Sequence, residues 1–453
     1  MTIHGALGLS VKGSQQKVSP KLQRLWVNKL MLIIDEVSIV SLQTLQEIEQ
    51  QCRSIRNNNI SWGGLKVILL CGDFYQFPPV KGRALWQKPT DSAELTSNHQ
   101  GQQIWHSFSN CILLDEQMRQ AEDIIYLDLL RRIRTGTTTF EDYSSLMQRV
   151  GQLDADGSTK VIVRSNQLRQ HLNIKLTIEF AQTYNQPVYI FMASHHPTDE
   201  SVPVDEWQSL AVVDRGSTSL GPGLFVFTKN IPIVINRNLY TSLGLVNGKE
   251  GNAIDAVLDS SSKVYQLPVN NASLKDSCIW IIDRPPKCLL VKISDPKFSQ
   301  LDGLPEGILP LFPSTFKIEV SILQDLSPRQ TTAIRRHQIS CSAAFAITDY
   351  RSQSRTFNRV ILDFESANKQ TEGGHRTFTA IYVALSRTRS ISGLSFLRGF
   401  PQSTFLVKPD HRLEKEMNRL QALERRSLSI DYQAMLDASQ EMLEVSEDMR
   451  NTS

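Results

Sequence analysis

Two acidic residues side by side, Asp35 and Glu36, close an apolar run in the segment LMLIIDEVS. Carboxylates at the C-terminal edge of a sheet stand where open α/β folds bind their ligands. In phosphoryl-transfer chemistry an acid so placed holds a divalent cation, and the next acid polarises the attacking water. Taken alone, the pair is also what a buried strand uses to meet solvent. A second strand end follows in VILLCGDFYQFPPV, where Gly72-Asp73 precede Gln76 and the prolines 78 and 79 stiffen the exit. One neutral amide on a rigid turn suits a residue that orients water or touches a terminal phosphate without adding charge. Two arginines complete the set: Arg119 in LDEQMRQ and Arg387 in YVALSRTRS. An arginine finger on a phosphoryl group in flight contributes about 10³–10⁵ in rate. Either could equally be a charge at a helix end.

These residues need elements to carry them. Leu30 to Ile34 and Val67 to Cys71 read as short parallel strands covered on both faces. Between them Leu42, Leu45, Ile48 and Cys52 recur at helical spacing within 41–55, the stripe of a covering helix. A second helix is expected from Ile124 to Arg134, ending near Gly136, then a short strand at Val161 to Val163. From about 221 onward the runs Leu224 to Thr228, Pro232 to Ile235, Asn252 to Leu258 and Cys288 to Ile293 are broken by turn residues and predict a β-rich insert at about 236–337. The α/β pattern resumes with Ala343 to Thr348, Val360 to Asp363 and an amphipathic run from Thr379 to Ser386. Arg412 to Arg425 and Tyr432 to Glu447 are charged and helix-favouring.

Composition narrows the class further. Hydrophobic residues make up 40% and charged residues 21%, an ordinary globular balance over 453 residues. Lys plus Arg is 49 against 46 for Asp plus Glu, so any basic groove must come from local clustering. Six cysteines with no C-x-x-C exclude a disulfide scaffold and disfavour structural zinc. The longest apolar runs are far shorter than the ~20 residues of a membrane span, and no signal peptide follows Met1. A reducing intracellular compartment is expected. His195-His196 has no partner at metal-ligand spacing. Trp62, Phe74 and Tyr75 could stack on bases, but core roles are the expected ones. RRIRTG at 131–136 reads as a helix end.

The ordered set TIHGALGL (2–9), IIDEVS (33–38), GDFYQFPPV (72–80), LDEQMRQ (114–120), GLVNGKEG (244–251), AITDYRSQS (346–354) and YVALSRTRS (382–390) resembles the superfamily 1 DNA helicases. The resemblance is to the petite-integration-frequency family, relatives of RecD that move 5′ to 3′ on single-stranded DNA. It implies an α/β fold of two RecA-like domains with parallel sheets, ATP and Mg²⁺ between them, and a small β-barrel inserted in the second. The expected parts are 1–113, the first domain; 114–235 and 338–400, the second; 236–337, the barrel; and 401–453, a charged helical tail. By motif, Asp35 resembles the acid that holds Mg²⁺, Glu36 the catalytic base, Gln76 the γ-phosphate sensor, and Arg119 and Arg387 the arginines that reach the phosphates. Thr2, His4 and Gln353 resemble DNA-contacting positions. The implied partners are ATP and single-stranded and duplex DNA, for a monomer away from membranes, in repair, recombination or telomere maintenance.

Two departures qualify the expectation. The phosphate-binding pattern G-x-x-x-x-G-K-[ST] occurs nowhere; Gly244 to Glu250 has three spacers and an acid where the hydroxyl belongs. The family carries that loop ahead of the TIH motif, so this chain reads as a helicase without its N-terminal nucleotide-binding segment. In DYRSQS, Tyr350, Arg351 and Ser354 stand where the family has His, Lys and Gly. The competing reading is an impaired fragment or mobile-element remnant that only binds single-stranded DNA. A metabolic ATPase would leave GDFYQFPPV and YVALSR unexplained.

Overall fold

The computed structural model describes residues 2–9, 18–89, 95–151, 157–197, 221–267, 278–293, 300–322, 330–364 and 374–428. The expected helix Tyr432 to Glu447 lies outside them.

The first unit is built on two parallel strands, Met31–Ile34 and Val67–Leu70, paired residue for residue from Met31↔Val67 to Ile34↔Leu70. The helix between them, Leu42–Arg56, starts where the Ser41 hydroxyl accepts from the Thr44 N–H at 3.1 Å. Its stripe Leu42, Leu45, Ile48, Cys52 and Ile55 is buried against Leu32 and Ile34. Coverage on both strand faces, as the continuous apolar runs predict, is not what is seen. Met31, Ile33, Val67 and Leu69 are 44–57% exposed. Alternate strand residues point to opposite faces, and the helix Leu42–Arg56 covers one of them.

The second unit holds four parallel strands in the order Ala346–Thr348, Lys160–Val163, Val360–Leu362, Leu394–Phe396. Lys160–Val163 is central and buried at all four positions. The helix Ile124–Thr135 ends on Gly136 at φ 67°, the left-handed cap that glycine takes without strain. The helix Gly374–Leu385 departs from the amphipathic expectation. From Thr377 to Thr388 every residue is buried, because the sheet, the helix Ile124–Thr135 and the Phe396–Phe400–Phe405 cluster enclose it.

Between Thr183 and Ala346 lie the β-rich sheets. Five antiparallel strands run in the order Ile308–Leu311, Cys288–Ile293, Glu250–Val257, Ile231–Ile235, Cys341–Ala343. A mixed four-stranded sheet joins Val188–Met192 to Leu224–Phe227 and Ile279–Ile282, with Val264–Leu267 at its edge. Ser194–Pro197, Gln330–Gln338 and Ser314–Ile322 form a third. Pairing therefore crosses position 236: strands from 188 onward bond to partners up to 343.

The helix expected at Arg412 to Arg425 runs His411–Leu428 and returns to the first unit. Leu413 and Leu420 enter the core around Leu42 and Trp105. Among the described residues no helix is long and apolar enough to cross a membrane.

Candidate active site

Asp35 follows the first strand and is exposed; its Oδ1 accepts the Glu36 N–H at 2.8 Å. Glu36 turns the chain at φ 56°, ψ 45°, a left-handed conformation that is costly for a residue with a side chain. The Val37 N–H then reaches back to the Cys71 carbonyl at 2.8 Å, tying the two strand ends together. Gly72 is required at that contact, since a Cβ there would lie 2.8 Å from the Val37 nitrogen.

Beyond Gly72, the Asp73 carboxylate caps its own turn, accepting the Tyr75 N–H at 3.1 Å, while the Gln76 N–H meets the Asp73 carbonyl at 2.9 Å. The Gln76 side-chain oxygen is buried and has no hydrogen-bond partner among the described residues. A buried acceptor left open is costly unless something fills it, and a bound water or ligand donor is the natural occupant.

The second unit closes on these strand ends. Arg134 donates to Asp73 at 3.0 Å and to the Tyr382 hydroxyl at 3.1 Å, and its guanidinium lies 4.4 Å over the Tyr75 ring. Burial pulls Arg134 down, but Asp73 and Tyr382 outweigh it and hold it above its ordinary value. Burial and the Asp73 charge push the Tyr382 hydroxyl up to about 12. Across the cleft, Gln353 Nε2 donates to Glu36 Oε2 at 2.6 Å, and the Ser354 hydroxyl donates to Glu36 Oε1.

Arg119 donates to the Thr356 hydroxyl at 2.8 Å and the Ser386 carbonyl at 3.0 Å. Burial lowers its affinity for its proton, partly offset by Tyr382 and Glu36. Arg387 is 1% exposed and folded back, donating to the Val383 carbonyl at 2.7 Å and the Ser386 hydroxyl at 2.6 Å. Burial first, then the charge of Arg119, brings it down to about 10, while Tyr382, Glu36 and Asp73 pull the other way. The Glu36 charge thus acts on both arginines.

Thr2 and His4 are placed differently. Thr2 caps the short helix Ile3–Leu7, accepting the Gly5 N–H at 3.2 Å, and His4 is exposed on it. The indole of Trp26 and the amide of Gln51 hold that helix by its Ala6 and Leu7 carbonyls, both at 2.9 Å. Trp62 and Phe74 are core residues, edge-on to Phe108 and Trp105. His195 Nε2 accepts from Arg336 Nε at 2.9 Å.

Sequence reasoning missed Arg134, taken with RRIRTG as a helix end. The signal was present: Arg134 falls four residues after Leu130 and eight after Tyr126, on the buried stripe with Ile133. Ser354 was noted only as a departure from glycine. Its bond to Glu36 depends on two segments 318 residues apart and had no sequence signal.

ATP and Mg²⁺ can be weighed against these residues. Mg²⁺ takes one or two carboxylates and fills its remaining positions with water and phosphate oxygens. Exposed Asp35 fits that role, and among the described residues no cluster of three or more His, Cys, Asp or Glu offers an all-protein cage. Open Gln76 Oε1 fits a water that must be oriented.

Two parallel α/β units in tandem, the acidic strand ends of one bonded to residues of the other, make a fold of two RecA-like domains. Residues 2–157 match the family described as PIF1-like helicase. The ATP-dependent DNA helicase RRM3 of Saccharomyces cerevisiae is 24% identical over 431 residues, covering 88% of this chain and 55% of that protein. The crystal structure of Pif1 helicase from Candida albicans covers 92% of this chain and 85% of its own, at 20% identity and a TM-score of 0.57. That of Bacteroides Pif1 in complex with ADP-AlF3 and single-stranded DNA covers 93% and 83%, at 16% and 0.59. These helicases are what the chain is similar to, and it spans about half the length of the curated relatives it matches.

Proposed function

We propose that this chain carries the motor of an ATP-dependent DNA helicase that moves 5′ to 3′ on single-stranded DNA, acting in repair, recombination or telomere maintenance inside the cell, in the nucleus or mitochondrion of a eukaryote. The observation that supports the reading is that Glu36, at the end of the first strand, accepts from Gln353 and Ser354 some 317 residues on, and its charge acts on Arg119 and Arg387. In this reading Asp35 holds Mg²⁺, which compensates phosphate charge when bound. Glu36 takes the proton of the attacking water, and Gln76 orients that water through its open oxygen. Arg119 and Arg387 supply positive charge, Arg387 once it swings from its present bonds to Val383 and Ser386. Thr2, His4 and Gln353 face DNA, and the antiparallel strands between 231 and 343 make a small barrel inserted in the second domain. The chain acts as a monomer.

The sequence has no G-x-x-x-x-G-K-[ST], the pattern whose backbone cradle and lysine hold the β-phosphate. Positioning is most of what such enzymes contribute. The chain alone should therefore bind single-stranded DNA while hydrolysing ATP very slowly or not at all. Joined to a segment bearing that loop, it should hydrolyse ATP with DNA stimulation, and Glu36→Gln should abolish turnover while nucleotide still binds. Anisotropy with an oligothymidine at low salt and a phosphate-release assay test both halves. No DNA binding by the chain, or vigorous hydrolysis without the loop, would overturn the reading.

A further inference from the structure

The two bonds that Glu36 accepts come from neighbouring residues of one turn, Gln353 and Ser354, and they occupy both carboxylate oxygens. Both ends of the contact hold left-handed backbone, Glu36 at φ 56° and Ser354 at φ 65°. Such conformations persist in residues with a Cβ only where surrounding contacts over-determine them. The turn is pinned on either side to the second domain: Arg351 donates to Asn236 at 3.1 Å, and Arg355 bonds to Glu250 and, at 2.7 Å, to the Gly248 carbonyl. From between these anchors Gln353 and Ser354 reach across to the first domain, and just before them Tyr350 stacks on Phe77 at 4.1 Å. The other charged groups that act on the cleft, Arg119, Arg387 and Asp73, come from different segments.

We propose that Gln353 and Ser354 are a latch on Glu36 which single-stranded DNA releases, so that occupying Gln353 and freeing the Glu36 carboxylate are one event. The inference rests on the reading of 346–354 as DNA-facing and adds to it a regulation of the same site. The Gln353 amide NH₂ carries two donors, and the one spent on Glu36 at 2.6 Å holds the whole amide turned toward the acid. A strand of DNA that turns the amide toward itself breaks the bond to Glu36. Ser354 and Gln353 act here as positioning residues, holding the acid until the strand arrives.

Linkage makes the proposal testable without any turnover, because whatever DNA must break to bind is a cost that deleting the bond removes. Ser354→Gly changes no charge, suits φ 65° and removes one bond. Glu36→Ala removes both. Oligothymidine affinity of the full chain, measured by anisotropy from about 50 to 200 mM salt, should tighten roughly 5- to 50-fold in Glu36→Ala and several-fold in Ser354→Gly. The slope of log affinity against log salt should stay unchanged, since no phosphate contact is gained. The double variant should gain no more than Glu36→Ala alone. Asp35→Asn, which removes the adjacent exposed charge, should tighten binding much less than Glu36→Ala. If Glu36→Ala fails to fold, Ser354→Gly decides. Unchanged or weaker binding in Ser354→Gly, or equal gains from Asp35→Asn and Glu36→Ala, would overturn the latch and leave the DNA reading intact. An unmodified chain that binds no DNA would overturn both.

Discussion

The indole N–H of Trp105 donates to the Glu416 carboxylate at 2.8 Å, joining the first domain to a helix 311 residues further along the chain. Arg419 braces the same carboxylate, its Nη2 at 2.6 Å from Oε1, and lies 5.6 Å over the Trp105 ring. Nearby, the Leu113 and Cys111 N–H groups bond to Glu424 and Ser427 at 2.7 and 3.1 Å. The helix His411–Leu428 is thus part of the first domain's core. Glu416→Ala leaves a buried indole N–H without an acceptor and should cost about 1–3 kcal/mol. Leu413→Ala, at a site with no exposure, should cost about 2–5 kcal/mol. Urea denaturation curves of the two variants check both, and losses below ~0.5 kcal/mol would show the helix to be peripheral.

Arg134→Ala removes an ion pair and a stacked guanidinium at once and leaves Asp73 partly buried beside Tyr382. A loss of about 2 kcal/mol is expected, below the figure for a fully buried pair because both partners keep some exposure. Arg134→Lys keeps the charge but not the fork or the stacking, and should recover less than half of that. Thermal melts of the three proteins, run side by side, decide it.

Gly101 marks where two helices touch. A Cβ there would lie 2.0 Å from the Leu42 carbonyl oxygen, in backbone that cannot swing away. Gly101→Ala should destabilise the chain by about 2–3 kcal/mol, although alanine is the better helix former by ~1 kcal/mol. A stabilised variant in chemical denaturation would refute that close approach.

His195 predicts a pH dependence. Arg336 Nε donates to His195 Nε2 at 2.9 Å. Burial, then the charges of Arg336 and His196, push its imidazole from 6.5 down to about 4. The folded chain binds this proton less readily than the unfolded one. Its contribution is therefore fully present above about pH 6.5 and is lost as pH falls from 6.5 toward 4. Because His195 keeps partial exposure, screening reduces the loss to about 1–2 kcal/mol. His195→Gln should flatten the fall of Tm between pH 7 and 5; parallel Tm profiles for the two proteins would contradict the assignment.

Some elements were legible because their signals are local. The stripe Leu42, Leu45, Ile48 and Cys52 and the Ser41 cap specify the helix Leu42–Arg56 within one residue of expectation. Gly136 ends the helix Ile124–Thr135, and the apolar runs before Asp35 and Gly72 are strands. Backbone hydrogen bonding and side-chain period act over a few residues, so a short window contains the answer. The position of Arg134, a basic residue beside the apolar stripe of its helix, is an equally local signal, although RRIRTG by itself reads as a helix end.

Residue order alone thus determined the types of chemistry available: two acids after one strand, an amide after another, and arginines in two later motifs. Tertiary structure decided which of them meet. It seated Arg134 on Asp73, laid Gln353 and Ser354 on Glu36, carried strand pairing across position 236, and brought the charged helix His411–Leu428 back to Trp105. Each of these joins segments tens to hundreds of residues apart. Such contacts form only because burying apolar surface offsets the entropy of closing the long loops between them, and that balance belongs to the whole chain rather than to any window of it.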